Sequence, residues 1–214
     1  VYERDDTVLH LVGGNSRALY DDLAAGQLDA VILNYIPAGN ELWFNPLALD
    51  GLVFIVHLDN PVRELTRPEL QAIFSGQINN WADVGGADLP IVPHIREQGA
   101  GARQLFQERV MQEQRVGIAA VLQPSQTAVL EAVAADPQAI GYTTLSGVRE
   151  DVAVLTVEGS HPEPNTVGTQ QYPLTVPLYF LADGEPTAEL RAFLSWLQSV
   201  EGQAQLGQTV GRVR

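Results

Sequence analysis

The chain contains no cysteine and a single methionine among its 214 residues. Without cysteine there are no disulfides, no thiolate metal sites and no cysteine nucleophile. That suits a protein folding outside the cytoplasm without redox help, but cytosolic chains also lack cysteine, so the compartment stays open on this ground. Positive charge is scarce. Twelve Lys and Arg face 26 Asp and Glu, for a net charge of −14 and a pI near 4.5. Nucleic acid is a poor partner for such a surface, because phosphate contacts need a basic face. No apolar run approaches the roughly 20 residues a membrane span requires, and no leader-like start is visible. His10, His57, His94 and His161 are scattered with no i,i+4 pair, which argues against a metal site. The acidic side chains are too dispersed to suggest calcium and read as a solvated surface. No cofactor is called for.

What is present is the composition of a globular protein, 45% hydrophobic and 18% charged, long enough for one large or two small domains. The stretch around which the rest is organised is Ile95-Arg96-Glu97-Gln98-Gly99-Ala100-Gly101-Ala102-Arg103. A short apolar strand ends at Arg96, turns through Gly and Ala, and enters a helix carrying Leu105, Phe106, Val110 and Met111. Such a turn leaves backbone N–H groups facing outward at the positive end of a helix, which favours an anion. Arg96 adds a planar, permanently charged fork. An ordinary βα loop with solvated arginines has the same local pattern, so the two glycines alone do not decide.

Val8 to Val12 reads as a strand, followed by Gly13-Gly14 and a helix capped by Ser16 that closes at Gly26. Leu28 to Leu33 reads as a buried strand running out at Asn34, which predicts a right-handed βαβ unit with parallel strands. Ligands in such sheets sit beyond the carboxyl ends of the strands, which puts Ser16 and Asn34 on one rim. Gly51 to His57 is the strongest strand signal. Thr66-Arg67-Pro68-Glu69 is a capping box opening a helix that runs to Gly76. Trp81 is expected to be a packing anchor. Ser125 starts another helix, Ala139 to Tyr142 and Val152 to Val157 are strands, and His161 to Gln171 reads as an exposed connection. Tyr172 to Leu181 is a long strand broken by proline, placed at an edge or at a crossing between domains. A final amphipathic helix passes through Leu190, Phe193, Leu194 and Leu197. Alternating strands and helices give the α/β class, and the two long extended segments around 52–57 and 173–181 suit two lobes joined by two crossings.

Ala48-Leu49-Asp50-Gly51-Leu52-Val53-Phe54-Ile55-Val56, Asn60-Pro61-Val62, Ile73-Phe74-Ser75-Gly76-Gln77-Ile78-Asn79-Asn80-Trp81-Ala82-Asp83-Val84-Gly85-Gly86, Ala139-Ile140-Gly141-Tyr142 and Tyr172-Pro173-Leu174 resemble the substrate-binding proteins of bacterial phosphate ABC transporters. The resemblance covers nearly the whole chain. It implies a two-lobed type II periplasmic-binding-protein-like fold with a hinge, lobe I formed by residues 1–56 and 172–214 and lobe II by 57–171. It further implies an extracytoplasmic, non-enzymatic protein that holds phosphate or a related oxyanion between the lobes and delivers it to an ABC permease. Matched residue by residue, Arg96 falls on the family's arginine, Gly101 on its turn glycine and Ser16 on its first-lobe serine. Ala100 and Ala102 stand where two hydroxyls belong, Gln98 where an Asp is frequent, and Asn34 replaces a carboxylate. Each lost hydroxyl removes a hydrogen bond worth about 0.5–1.5 kcal/mol, more to a charged ligand. Asn34 carries no charge and both donates and accepts. A relaxed oxyanion site is therefore expected in place of a strict phosphate trap, with Arg17 and Arg103 as candidates to replace the lost donors. The family's first strand and most of its first helix are expected ahead of Val8, where only Val1 to Thr7 stand, which reads either as a trimmed chain or as an N-terminally shortened version of the fold whose exposed sheet edge would invite a homodimer.

Two other readings stand beside this one. Gly14-Asn15-Ser16-Arg17-Ala18 has the look of a hydrolase nucleophile elbow, with His161 the available downstream histidine, but too few strands precede it. A sensor or interaction module on the same fold, no longer feeding a transporter, is favoured by Ala100, Ala102 and Asn34.

Overall fold

The computed structural model describes residues 9–37, 39 and 41–212. Its spine is β2 (Trp43–Val56), which lies between β9 (Thr175–Ala182) and β6 (Ala139–Thr144), antiparallel to both. Outside β9 lies β1 (Ala30–Leu33), also antiparallel; outside β6 lie β4 (Val92–Arg96) and then β5 (Val121–Gln123), both parallel. The strand order is β1-β9-β2-β6-β4-β5, an open mixed sheet. The continuous apolar run of β2 explains its position, since Leu52 to Val56 are fully buried on both faces.

The helices follow local sequence signals closely. In α2 (Arg67–Ser75) the Thr66 hydroxyl accepts from Glu69 N while the Glu69 carboxylate accepts from Thr66 N, and the helix closes at Gly76. Ser125 caps α4 (Gln126–Ala135). Trp81, buried to 1% exposure, anchors a 3₁₀ turn and donates Nε1–H to Gln138 O at 3.0 Å. Around Leu52–Val56 the largest core gathers α2, α4 and α3 (Gly101–Phe106), the last continuing as a π-helical turn over Gln107–Met111. Two smaller apolar clusters flank β1 and β9. One lies under α1 (Ser16–Ala24), and the other lies under α6 (Ala188–Leu197) and α7 (Val200–Leu206).

Several expectations are corrected. Leu9 to Val12 form no strand, and Val8 lies outside the described residues; Leu11 and Val12 are 90% and 65% exposed. Their apolar, branched composition is strand-like, but none of the described residues pairs with them. Among the described residues there is consequently no parallel βαβ unit, and β1 pairs antiparallel with β9. The α1 cap is Asn15, one residue earlier than expected, its Oδ1 accepting from Arg17 N. Val152 to Val157 divides at Leu155, whose N–H donates to Phe54 O. Ala153–Val154 (β7) pairs with β2, and Thr156–Val157 (β8) with the short β3 (Glu64–Leu65). The 161–171 connection contains a helix, α5 (Pro164–Gly168), whose Val167 is fully buried.

The proline strand is internal, and Pro177 is accommodated by register. It sits opposite Leu49, whose N–H and C=O both bond Gly211, so no ladder bond from β2 requires a donor at 177. On its other side β1 pairs only from Tyr179 onward.

Candidate functional site

Arg96 ends β4, and an aromatic cluster fixes that strand end. The Arg96 backbone N–H donates to the Tyr142 hydroxyl at 3.0 Å, and the Tyr142 ring stacks on Phe106 with centroids 4.4 Å apart. Phe106 in turn meets Phe74 edge-on at 4.8 Å. Burial pushes the Tyr142 phenol pKa up, offset in part by the Arg96 N–H and by the Arg103 and Arg96 charges.

The Arg96 guanidinium is 11% exposed and grips its own neighbour. Nε and Nη2 donate to the two carboxylate oxygens of Glu97, each at 2.9 Å. Asn15 Nδ2 donates to the same carboxylate at 2.9 Å and to Gln98 O at 3.2 Å. Burial pushes the Glu97 carboxyl up, but the hydrogen bonds from Arg96 and Asn15 and the Arg96 charge outweigh it and hold the pKa below the usual glutamate range. Through Glu97, the arginine turn is tied to the residue that caps α1.

Two further contacts bring the start of α1 onto the turn. Arg17 N donates to Gly99 O at 3.0 Å, and Gly101 N donates to Ser16 Oγ at 3.1 Å. Gly99 has φ +85°, and a Cβ there would also lie 2.7 Å from Asn15 Oδ1, so glycine is required twice over. At Gly101 a Cβ would collide with Asn34 Oδ1 and approach Ser16 Oγ to 2.9 Å. Ser16, Asn34 and Gly101 thus converge from three distant places in the sequence, with Arg96 joined to them through Glu97 and Asn15.

The remaining candidates divide. Ala100 and Ala102 are buried at 3% and 6% exposure and contribute no side-chain polar atom. Arg17 is 65% exposed and paired with Asp21 one turn on, at the rim. Arg103 points inward, its guanidinium 5.8 Å from the Phe106 ring centre, and its Nη1 is buried with no hydrogen-bond partner. Asn34 Oδ1 is likewise buried and unpartnered. A buried donor and a buried acceptor left unmade each cost about 1–3 kcal/mol, which a polar ligand would recover. Between the start of α1 and the turn opens a cleft of about 600 Å³, lined by Asn15, Arg17, Tyr35, Gln98, Gly99 and Gln104 among others.

This arrangement suits binding better than catalysis. Ser16 Oγ faces the Gly101 N–H, and the His161 ring lies against Thr156 Oγ1 at 3.3 Å, so the elbow reading gains no partner histidine. Sequence reasoning gave no role to Glu97, Asn15 or Tyr142. Asn15 was findable, since asparagine is at least as good a helix cap as the serine that follows it.

Residues 3–201 match the family described as PBP superfamily domain. The phosphate-binding protein PstS of Bacillus subtilis (strain 168) is 32% identical over 160 residues, which cover 73% of this chain and 52% of that protein. PstS of Pseudomonas aeruginosa (strain PAO1) is 28% identical over 182 residues, 74% of this chain and 56% of its own length. The chain therefore spans about half the length of the curated relatives it matches. Among solved structures, a Clostridium perfringens protein with bound phosphate, described as a phosphate ABC transporter substrate-binding protein, superposes with a TM-score of 0.85 at 28% identity, covering 94% of this chain and 85% of that one. An ABC-type phosphate transport receptor from Vibrio cholerae gives a TM-score of 0.70 at 29% identity, covering 89% and 82%. The open mixed sheet flanked by helices is the architecture these structures share.

Proposed function

Because the chain belongs to the PBP superfamily, we propose that it is the binding unit of an extracytoplasmic solute-binding protein that captures phosphate or a related oxyanion for an ABC importer. It is a binding protein and not an enzyme. The observation that carries this reading is the convergence of Ser16, Asn34 and Gly101, tied through Asn15 and Glu97 to the nearly buried Arg96. Its relatives' names and a bound phosphate in a similar structure support it.

In this reading Arg96 supplies the fixed charge, and its edge away from Glu97 meets the anion. Ser16, Asn34 and the turn Ala100, Gly101 and Ala102 complete the site, the Ser16 hydroxyl held there by the Gly101 N–H, with Arg103 behind it and Arg17 at the mouth. Lobe I, residues 1–56 and 172–214, closes on lobe II, residues 57–171, and the chain crosses between them at the end of β2 and just before β9. Closure would be read by a permease in the membrane. Among the described residues no helix is long and apolar enough to cross a membrane itself. Buried methyl groups at Ala100 and Ala102 and an uncharged Asn34 favour a second reading, a sensor on the same fold with altered anion preference.

Isothermal titration with inorganic phosphate, sulfate and molybdate tests both. An oxyanion is expected to bind, and Arg96→Ala to weaken it by about 100-fold or more, since two charge-assisted hydrogen bonds at roughly 1.5–3 kcal/mol each are lost. A folded wild-type chain that binds no oxyanion would overturn the assignment.

A further inference from the structure

A free phosphate ion presents four oxygens, and gripping it tightly takes donors on every side. The Arg96 turn offers fewer than that. Two of the five guanidinium N–H groups are engaged by Glu97, the Gly101 N–H is engaged by Ser16, and residues 100 and 102 carry only buried methyl groups. A larger space lies beside the turn. The cleft of about 600 Å³ runs directly against Gln98 and Gly99. That is far more room than an inorganic oxyanion needs and falls among the roughly 300–1,000 Å³ of small-molecule sites.

The lining of the cleft describes the missing part of the ligand. Tyr35 and Pro37 present ring surface, while the Tyr35 phenol and the amides of Gln98 and Gln104 each donate and accept. Such groups match hydroxyls on a short carbon chain. Charge points the same way. A phosphate monoester is a dianion above its second pKa of about 6, with three terminal oxygens and no proton left to give. A carboxylate at position 34 would repel it, whereas the Asn34 amide is uncharged, and rotation about its last side-chain bond turns an N–H donor toward the site. The Arg103 Nη1, buried near the Phe106 ring and without a partner, is a further donor on the helix that follows the turn.

We propose that the ligand is a phosphate monoester with a small hydroxylated body, its phosphate held at the Arg96 turn and its body lying in the cleft beside Tyr35, Gln98 and Gln104. This rests on the oxyanion-site reading above and narrows it from an inorganic ion to an organic ester. The phosphate enters intact and leaves intact; no bond is made or broken.

The test is a calorimetric series at pH 7.5 on the 214-residue chain, with inorganic phosphate, methyl phosphate and glycerol 3-phosphate as probes. Glycerol 3-phosphate is expected to bind at least tenfold more tightly than inorganic phosphate and several-fold more tightly than methyl phosphate. Tyr35→Ala, checked for native circular dichroism, is expected to shrink the preference for glycerol 3-phosphate over methyl phosphate. Inorganic phosphate binding as tightly as the esters or more tightly would overturn the proposal and leave the oxyanion site standing. Equal affinity for the two esters would overturn the placement of the body in the cleft. Binding of none of the three would overturn both the proposal and the site.

Discussion

Gly101 stands where three chain segments meet, and it has no spare volume. Gly101→Ala places a methyl group against Asn34 and Ser16, so the start of α1 must back away from the turn. Anion affinity is expected to fall at least tenfold by titration calorimetry, a large effect for one added carbon. His94 shows a different residue-scale effect. It is 7% exposed, its Nδ1 accepts from Gln123 at 2.9 Å, and its Nε2 is buried without a partner. Burial pushes its pKa down, opposed only partly by the Asp136 charge. The unfolded chain therefore takes up a proton first as the pH falls. Stability from this residue is intact above the ordinary histidine range near 6.5 and declines below it toward the depressed folded value. Urea denaturation at pH 7.5 and 5.5 should show a loss in the wild type that is smaller in His94→Gln. Of these residue-scale features, the sequence made Arg96, Ser16 and Gly101 visible through resemblance. The Glu97–Asn15 bond was not visible, because it joins residues 82 apart and no local period encodes it.

At the scale of elements, the caps were the most legible feature. Thr66-Arg67-Pro68-Glu69 announces both the start and the geometry of α2, since each polar atom in the box satisfies an orphan backbone donor. Thr66→Ala should lower stability by roughly 1 kcal/mol, seen as a shift in the urea midpoint with an unchanged slope. Asn15→Ala removes a cap of the same kind on α1, within about 0.5–2 kcal/mol by cap loss alone. It also removes a hydrogen bond to Glu97, so it alone of the two is expected to change anion affinity as well. Strands were harder to read. Leu9 to Val12 has the composition of a strand yet lies exposed to solvent, because a strand is made by its neighbour as much as by its own side chains. Pro177 reads as an edge signal, yet a partner strand tolerates it where the ladder needs no N–H.

Over the whole molecule, the charge of −14 is carried on a scaffold whose every cation is an arginine, so a local positive turn opposes a negative field. Raising the ionic strength from about 0.05 to 0.5 M screens that field. Association of a dianion with the site is then expected to quicken in stopped-flow measurements, the reverse of the usual steering by a basic protein. The α/β class and the family likeness were legible because they rest on strong strands and a long specific motif. The antiparallel pairing of β1 and β9 was not, since sequence order does not say which strands become neighbours. Leu47 of β2 belongs to one apolar cluster and Leu52 to Val56 of the same strand to another. A keel shared by two hulls cannot be drawn from one without flooding the other. Cutting the chain anywhere along it would scuttle both halves in a single event.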